Sequence, residues 1–243
     1  SFLTDEEAYL STFRLSESGN YLNIYRTFKI RQSWDAPIIV DSLKTDNFCS
    51  HPTISPSGEY MVFSTDRNSD YDDADLWMAI RGSNGFWGGL VSLNELNSSG
   101  NEITPFFAGN DTLYFASDGQ EGPGGYDLFF SVKVRGQWQR PSALTQLNTE
   151  FNESDLCVLP SGDVVFASDR PGGQGDLDLY LARKNISTNH ENEIVDLEVV
   201  SKSNVENINI IKENTILKIP VNDYIKDIPS DDFNYSFLVD STI

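Results

Sequence analysis

The sequence predicts an all-β protein, a β-propeller of four-stranded blades with four recognisable repeats, followed by a small β-rich segment. Three observations predict it. The segment ISPSGEYMVFSTDR at 54–67 recurs as GNDTLYFASDG at 109–119 and as LPSGDVVFASDR at 159–170. Within it Phe63, Phe115 and Phe166 are 52 and 51 residues apart, and Asp66, Asp118 and Asp169 keep the same intervals. Independent landmarks repeat with the same period: the triplets that begin at Asp75, Asp127 and Asp178, and the tryptophans Trp34, Trp87 and Trp138. A fixed period of this length is the signature of a repeat architecture.

Each copy holds four short runs rich in aromatic and β-branched residues, bounded by Gly, Pro, Asn or Asp, which is strand-and-turn chemistry. The first run precedes a Ser-Gly turn, the second ends in Phe-x-Ser-Asp, the third carries Asp-Leu-aromatic and the fourth surrounds the tryptophan. Four strands in about 50 residues describe a propeller blade, whose two faces are buried only when neighbouring blades stack on them. The copies cover about 1–47, 48–97, 98–148 and 149–185. One period before Phe63 lies Leu10, and one before the Asp75 triplet lies Asn23-Ile24-Tyr25, so the first copy is eroded, with Phe13 at the aspartate position. The fourth copy has no tryptophan near 190 and either loses its last strand or takes it from another segment. Residues 186–243 are rich in Asn, Ile, Asp and Glu and form a linker and β-rich segment, read as the start of a β-sandwich or as a divergent closing blade. The packing residues expected between blades are Phe63, Trp77, Phe115, Phe129, Phe166 and Tyr180, with Trp87 and Trp138 as further structural landmarks of the repeat.

The 243 residues are 39% hydrophobic and 12% aromatic, enough to build a core. With 37 acidic and 17 basic residues the net charge is -20, a field that repels phosphate backbones and anionic lipid surfaces. No nucleic-acid partner is expected. No apolar run approaches the roughly 18 residues of a helical span, so no transmembrane segment is expected. Cys49 and Cys157 fall in non-adjacent copies, too far apart to bridge, and are expected as buried thiols.

The carboxylates that recur once per copy, Asp66, Asp118 and Asp169 with Asp75, Asp127 and Asp178, are read as turn formers that accept backbone N–H bonds. Catalysis needs unlike groups in one place. The glycine loops GPGGYD at 122–127 and PGGQGD at 171–176 lack the Lys-Ser/Thr of a phosphate cradle and are read as turns. The second copy has DRNSDYDDADLW instead, and there Asp70, Asp72 and Asp75 with a backbone carbonyl form a candidate Ca²⁺ site, weighed against a solvated acidic loop. No other cofactor is expected. His51 and His190 are the only histidines, and His51, before Pro52, is read as a turn residue.

At FASDRPGGQGDLDLYLA (166–182) and WQRPSALTQLN (138–148) the sequence resembles the WD40-like propeller repeats of the TolB type, as found in OmpA-family envelope proteins of Bacteroidetes. The resemblance covers about 8–185. It implies a scaffold in the periplasm or at the outer membrane or cell surface, binding other envelope proteins or peptidoglycan-associated components, in one branch within type IX secretion. The expected function is therefore non-enzymatic binding, with a carbohydrate-active propeller or a calcium-dependent adhesion module as alternatives.

Overall fold

The computed structural model describes residues 2–3, 6–16, 19–31, 33–46, 48–67, 73–184, 194–200, 208–212 and 215–219, and every regular element among them is a strand. They form four antiparallel sheets and a separate hairpin. Blade 1 contains β1 (Phe2–Leu3), β2 (Glu7–Ser16), β3 (Gly19–Ile30), β4 (Ser33–Trp34) and β5 (Ile38–Ile39), the last two both pairing with β3. Blade 2 is β6 (Cys49–Ile54), β7 (Tyr60–Thr65), β8 (Asp75–Arg81) and β9 (Trp87–Ser92). Blade 3 is β10 (Glu102–Phe107), β11 (Thr112–Ser117) and β12 (Asp127–Val134), edged by β13 (Gln137–Trp138) and β14 (Ser142–Ala143). Blade 4 is β15 (Glu153–Val158), β16 (Val164–Ser168), β17 (Asp178–Lys184) and β18 (Ile194–Val200). The hairpin is β19 (Ile208–Lys212) with β20 (Thr215–Ile219).

This is a four-blade β-propeller, the fold class that the repeat predicts. In each sheet the strands follow in chain order from the inside outward, and each of the inner strands β6, β10 and β15 packs against the blade before it. The outer strand of blade 4 comes from beyond the recognisable repeat, with β18 pairing β17 from Leu179↔Val200 to Lys184↔Ile194.

The core lies between the blades because a sheet of this size cannot bury enough surface alone. Tyr9, Ile24, Met61, Phe63 and Trp87 fill the space between blades 1 and 2. Val62, Leu76, Phe107, Phe115, Phe129 and Trp138 do so between blades 2 and 3, and Leu128, Leu156, Phe166 and Tyr180 between blades 3 and 4. Phe115 stacks on Phe129 at 6.0 Å and Phe166 on Tyr180 at 5.8 Å, and each pair is directly opposed across its strands. Each fully buried ring contributes roughly 1.5–3 kcal/mol. Cys49 and Cys157 are buried and unbridged, and burial raises both thiols to about 12.

The eroded first copy has a local cause. Its second and third strands run as one long hairpin to the pair Ser16↔Gly19, where blades 3 and 4 break off into a loop held by aspartate. With no such loop to close, the position of Phe13 carries no carboxylate.

Candidate functional site at the axis

A strand-to-strand meander places the loops of each blade alternately at two ends of the propeller. At one end lie the loops between the second and third strands and those leading to the next blade. Here the recurrent carboxylates tie the chain together. Asp118 accepts the Asn101 backbone N–H and, at 2.9 Å, its side-chain amide, while Asn101 Oδ1 accepts the Ala74 N–H of blade 2 at 3.0 Å. Asp169, Asn152 and Tyr126 repeat that clasp one blade on, with distances of 2.7, 2.7 and 2.9 Å. In blade 2 Phe48 stands at the asparagine position, and Asp66 keeps only the bond from its N–H, 3.2 Å.

Beneath the clasp sits a buried glutamate. Glu102 accepts from the Ser98 N–H and hydroxyl and from the Ser117 hydroxyl, and Glu153 from the matching groups of Thr149 and Ser168. Glu153 adds an ion pair to Arg170 at 2.9 Å, whereas burial raises the Glu102 carboxyl. The glycine loops also close on their own aspartates. Asp127 accepts the Gly124 N–H and Asp178 those of Gln174 and Gly175, and a Cβ at Gly122 or Gly173 would collide with these carboxylates. The loops are filled from within, so they cradle no phosphate.

The inner strands behave differently. Opposite Phe63, Phe115 and Phe166, two residues of β6, β10 and β15 face one residue of the neighbouring strand: His51-Pro52, Thr104-Pro105 and Asp155-Leu156. Such bulges re-aim side chains. His51, Thr104 and Asp155 all adopt positive φ, 52°, 50° and 51°, a conformation that costs a non-glycine residue about 1–3 kcal/mol. Among the described residues the other edge of each inner strand pairs with no strand, so these positions ring the axis.

Hydrogen bonds link the ring between blades: the His51 N–H donates to Ser11 Oγ at 3.1 Å and the Asp155 N–H to Thr104 Oγ1 at 3.2 Å. Burial lowers the His51 imidazole to about 4 and raises the Asp155 carboxyl, to which the Ser154 hydroxyl donates at 2.8 Å. His51 Nδ1 is buried and has no hydrogen-bond partner among the described residues. A neutral imidazole, a hydroxyl and a carboxyl of raised pKa thus stand at equivalent bulges of successive inner strands, with the Ser11 hydroxyl beside the first, a set able to take a polar or cationic group.

His51 is accordingly a bulge residue of β6 and not a turn. The sequence reading missed Ser11, Thr104 and Asp155, although Pro52 and Pro105, one period apart inside strands, were a signal, since proline within a sheet marks an edge or a bulge. Of the candidate calcium ligands, Asp70 and Asp72 lie outside the described residues. Asp75 begins β8 with its carboxyl raised by burial and then by Asp73. Among the described residues no three His, Cys, Asp or Glu side chains are grouped to hold a metal ion.

No family model matches the chain, and no curated protein matches it. Solved structures do resemble it. A TolB-like protein from Agrobacterium tumefaciens has a TM-score of 0.49 at 17% identity, over 81% of this chain and 64% of that one. A puromycin-hydrolyzing peptidase from Mycobacterium tuberculosis gives 0.46 at 18%, over 77% and 31%, and a thermostable family-43 glycoside hydrolase gives 0.47 at 12%, over 81% and 72%. The chain spans less than two-thirds of the length of the first two.

The expectation that the chain is not an enzyme is corrected by these neighbours, two of which are hydrolases. It rested on the absence of an asymmetric catalytic constellation and on propellers being rigid platforms whose loops vary freely, and the inner-strand bulges carry unlike groups in His51, Thr104 and Asp155. Enzyme status is not established for this chain.

Proposed function

We propose that the chain is a binding propeller of the cell envelope that receives part of a partner at its axis. The ring of His51, Thr104 and Asp155 carries this reading: three unlike side chains occupy the same positive-φ bulge of successive blades, a preserved backbone geometry that presents varied chemistry. The resemblance of the repeats to TolB-type envelope propellers supports a periplasmic, outer-membrane or cell-surface location. It also supports other envelope proteins or peptidoglycan-associated components as partners, type IX secretion assemblies included. The hydroxyls and carboxyl of the ring support a second occupant, a glycan.

The test compares the wild-type chain with a His51→Ala/Thr104→Val/Asp155→Ala variant of equal thermal stability, each immobilised and exposed to envelope extract and to peptidoglycan fragments. Specific capture that the variant loses supports an axial site, and the captured molecule decides between protein and glycan. Equal capture by both chains, or none by either, overturns it.

A further inference from the structure

Five described non-glycine residues have positive φ, and the two outside the axial ring stand together at the other end of the molecule. Arg31 (φ 60°) and Arg135 (φ 52°) each follow the last residue of a third strand, where the chain turns into the fourth. They are two periods apart. A two-residue hairpin turn favours Asn or Gly at such a position, yet arginine fills it in blades 1 and 3.

Around these turns the exposed apolar side chains collect. Phe86 is 63% exposed, Ile30 53%, Val134 49% and Trp34 41%, all within two residues of a tip between third and fourth strands. Arg26 lies over the rings of both Phe28 and Phe86, at 4.5 and 5.9 Å, and so joins the tips of blades 1 and 2 into one patch. Equivalent hairpins of a propeller share one end and one radius. The tips therefore protrude side by side in a plane, a convex rim of apolar points with guanidinium groups between them.

We infer that this rim docks on an anionic lipid surface, with Ile30, Trp34, Phe86 and Val134 entering the headgroup region and Arg31 and Arg135 meeting lipid phosphates. Protruding tips suit a soft plane better than a protein groove, and guanidinium matches phosphate in charge and geometry. The net charge of -20 does not forbid it, because the charge is unevenly placed. Asp66, Asp118, Asp127, Asp169, Asp178, Glu102 and Glu153 all belong to the opposite end, about 20 Å away along six-residue strands. That is more than twice the screening length of about 8 Å at physiological salt. On the docking end, Glu6, Glu7, Glu59, Asp111 and Asp163 lie on or beside the turns between first and second strands, nearer the axis than the rim, Glu7 being paired with Arg81, and Asp35 beside Trp34 is the acidic residue on the rim itself.

The experiment is co-sedimentation of the whole chain with phosphatidylethanolamine–phosphatidylglycerol vesicles and with phosphatidylcholine vesicles at about 0.15 M salt. The wild-type chain is expected to bind the anionic vesicles at least about tenfold more tightly than the neutral ones. Ile30→Ser/Phe86→Ser/Val134→Ser and Arg31→Glu/Arg135→Glu are each expected to lose about tenfold or more of that binding. At about 0.01 M salt, where screening reaches about 30 Å, repulsion from the acidic end should weaken it. All substituted positions are exposed, and an unchanged thermal midpoint verifies the fold of each variant. Absence of vesicle binding, equal binding of both vesicle types, variants that bind as the wild type does, or capture of an acidic protein in place of vesicles overturns the inference. None of these outcomes touches the axial site.

Discussion

Each of blades 3 and 4 carries two polar layers on the same inner strand, and they obey opposite rules. At the start of β10 and β15 stand Glu102 and Glu153, identical in type and bonded to matching hydroxyls and N–H groups. Two residues on stand Thr104 and Asp155, different in type but alike in strained backbone. The first layer repeats because every blade must solve the same problem, closing a loop over buried backbone. The second keeps the geometry and varies the chemistry, which is what a site requires and a scaffold does not. Repetition in this chain therefore marks structure, and departure from repetition at a preserved geometry marks the site.

The sharpest way to probe the structural layer is to separate its two members. Glu153 holds Arg170, whose guanidinium also lies over Phe166 and donates to the Leu147 carbonyl. Glu153→Ala strands a mostly buried cation and should cost about 3–5 kcal/mol in chemical denaturation. Among the described residues Glu102 has no such cation, and its carboxyl pKa is already raised by burial. Glu102→Gln should cost only about 1–2 kcal/mol. Equal losses would mean that the ion pair contributes nothing and that the two knots are interchangeable.

The site layer should announce itself through pH. An unfolded His51 titrates near 6.5 and the folded one near 4, so between these values the unfolded chain holds the extra proton. Stability due to neutral His51 is thus complete above 6.5, declines as pH falls through that window and levels off below 4. The span is at most about 3 kcal/mol at 1.36 kcal/mol per pH unit. Urea midpoints from pH 7 to 4 for the wild-type chain and for His51→Gln measure it, and the variant should show a flatter profile. Identical profiles would remove His51 from the axis.

Most of the fold was legible because propeller packing imposes one period on every landmark: Phe63, Phe115 and Phe166 each oppose an aromatic residue of the next strand. The last strand of blade 4 was not legible. An outer strand needs only backbone partners, and β18 pairs β17 with no tryptophan and no repeat signature. The axial site was hidden for a related reason. A bulge is a backbone event, and the φ of Thr104 or Asp155 leaves little trace in residue type. Only His51, through its rarity, stood out, and its neighbour Pro52 suggested a turn.

A milder change tests whether the repeated layer acts blade by blade. Asn148 Oδ1 accepts the Leu128 N–H at 2.8 Å and its amide donates to the Leu128 carbonyl at 3.0 Å, as Asn97 does for Leu76 one blade earlier. Asn148→Ala leaves the Leu128 N–H buried and unpaired, while the Leu128 carbonyl keeps the Leu144 N–H at 2.9 Å, for about 2 kcal/mol. Asn97→Ala should cost a similar amount, and the double variant should lose the sum of the two, since the sites lie in different blades.

The smallest effect has the opposite sign and separates the layers most directly. His51→Gly relieves a non-glycine residue of its positive φ and removes the unpartnered Nδ1, while the backbone N–H remains to donate to Ser11. It should stabilise the chain by about 1 kcal/mol and abolish axial binding. The same replacement at Asp118, a repeated position, breaks the bonds to Asn101 and should destabilise the chain. Stability and binding that move in opposite directions at His51 mean that its side chain is kept against the preference of the fold. Loss of both would place His51 with the structural carboxylates, and the distinction between the two layers would fail at the residue where it is drawn most clearly.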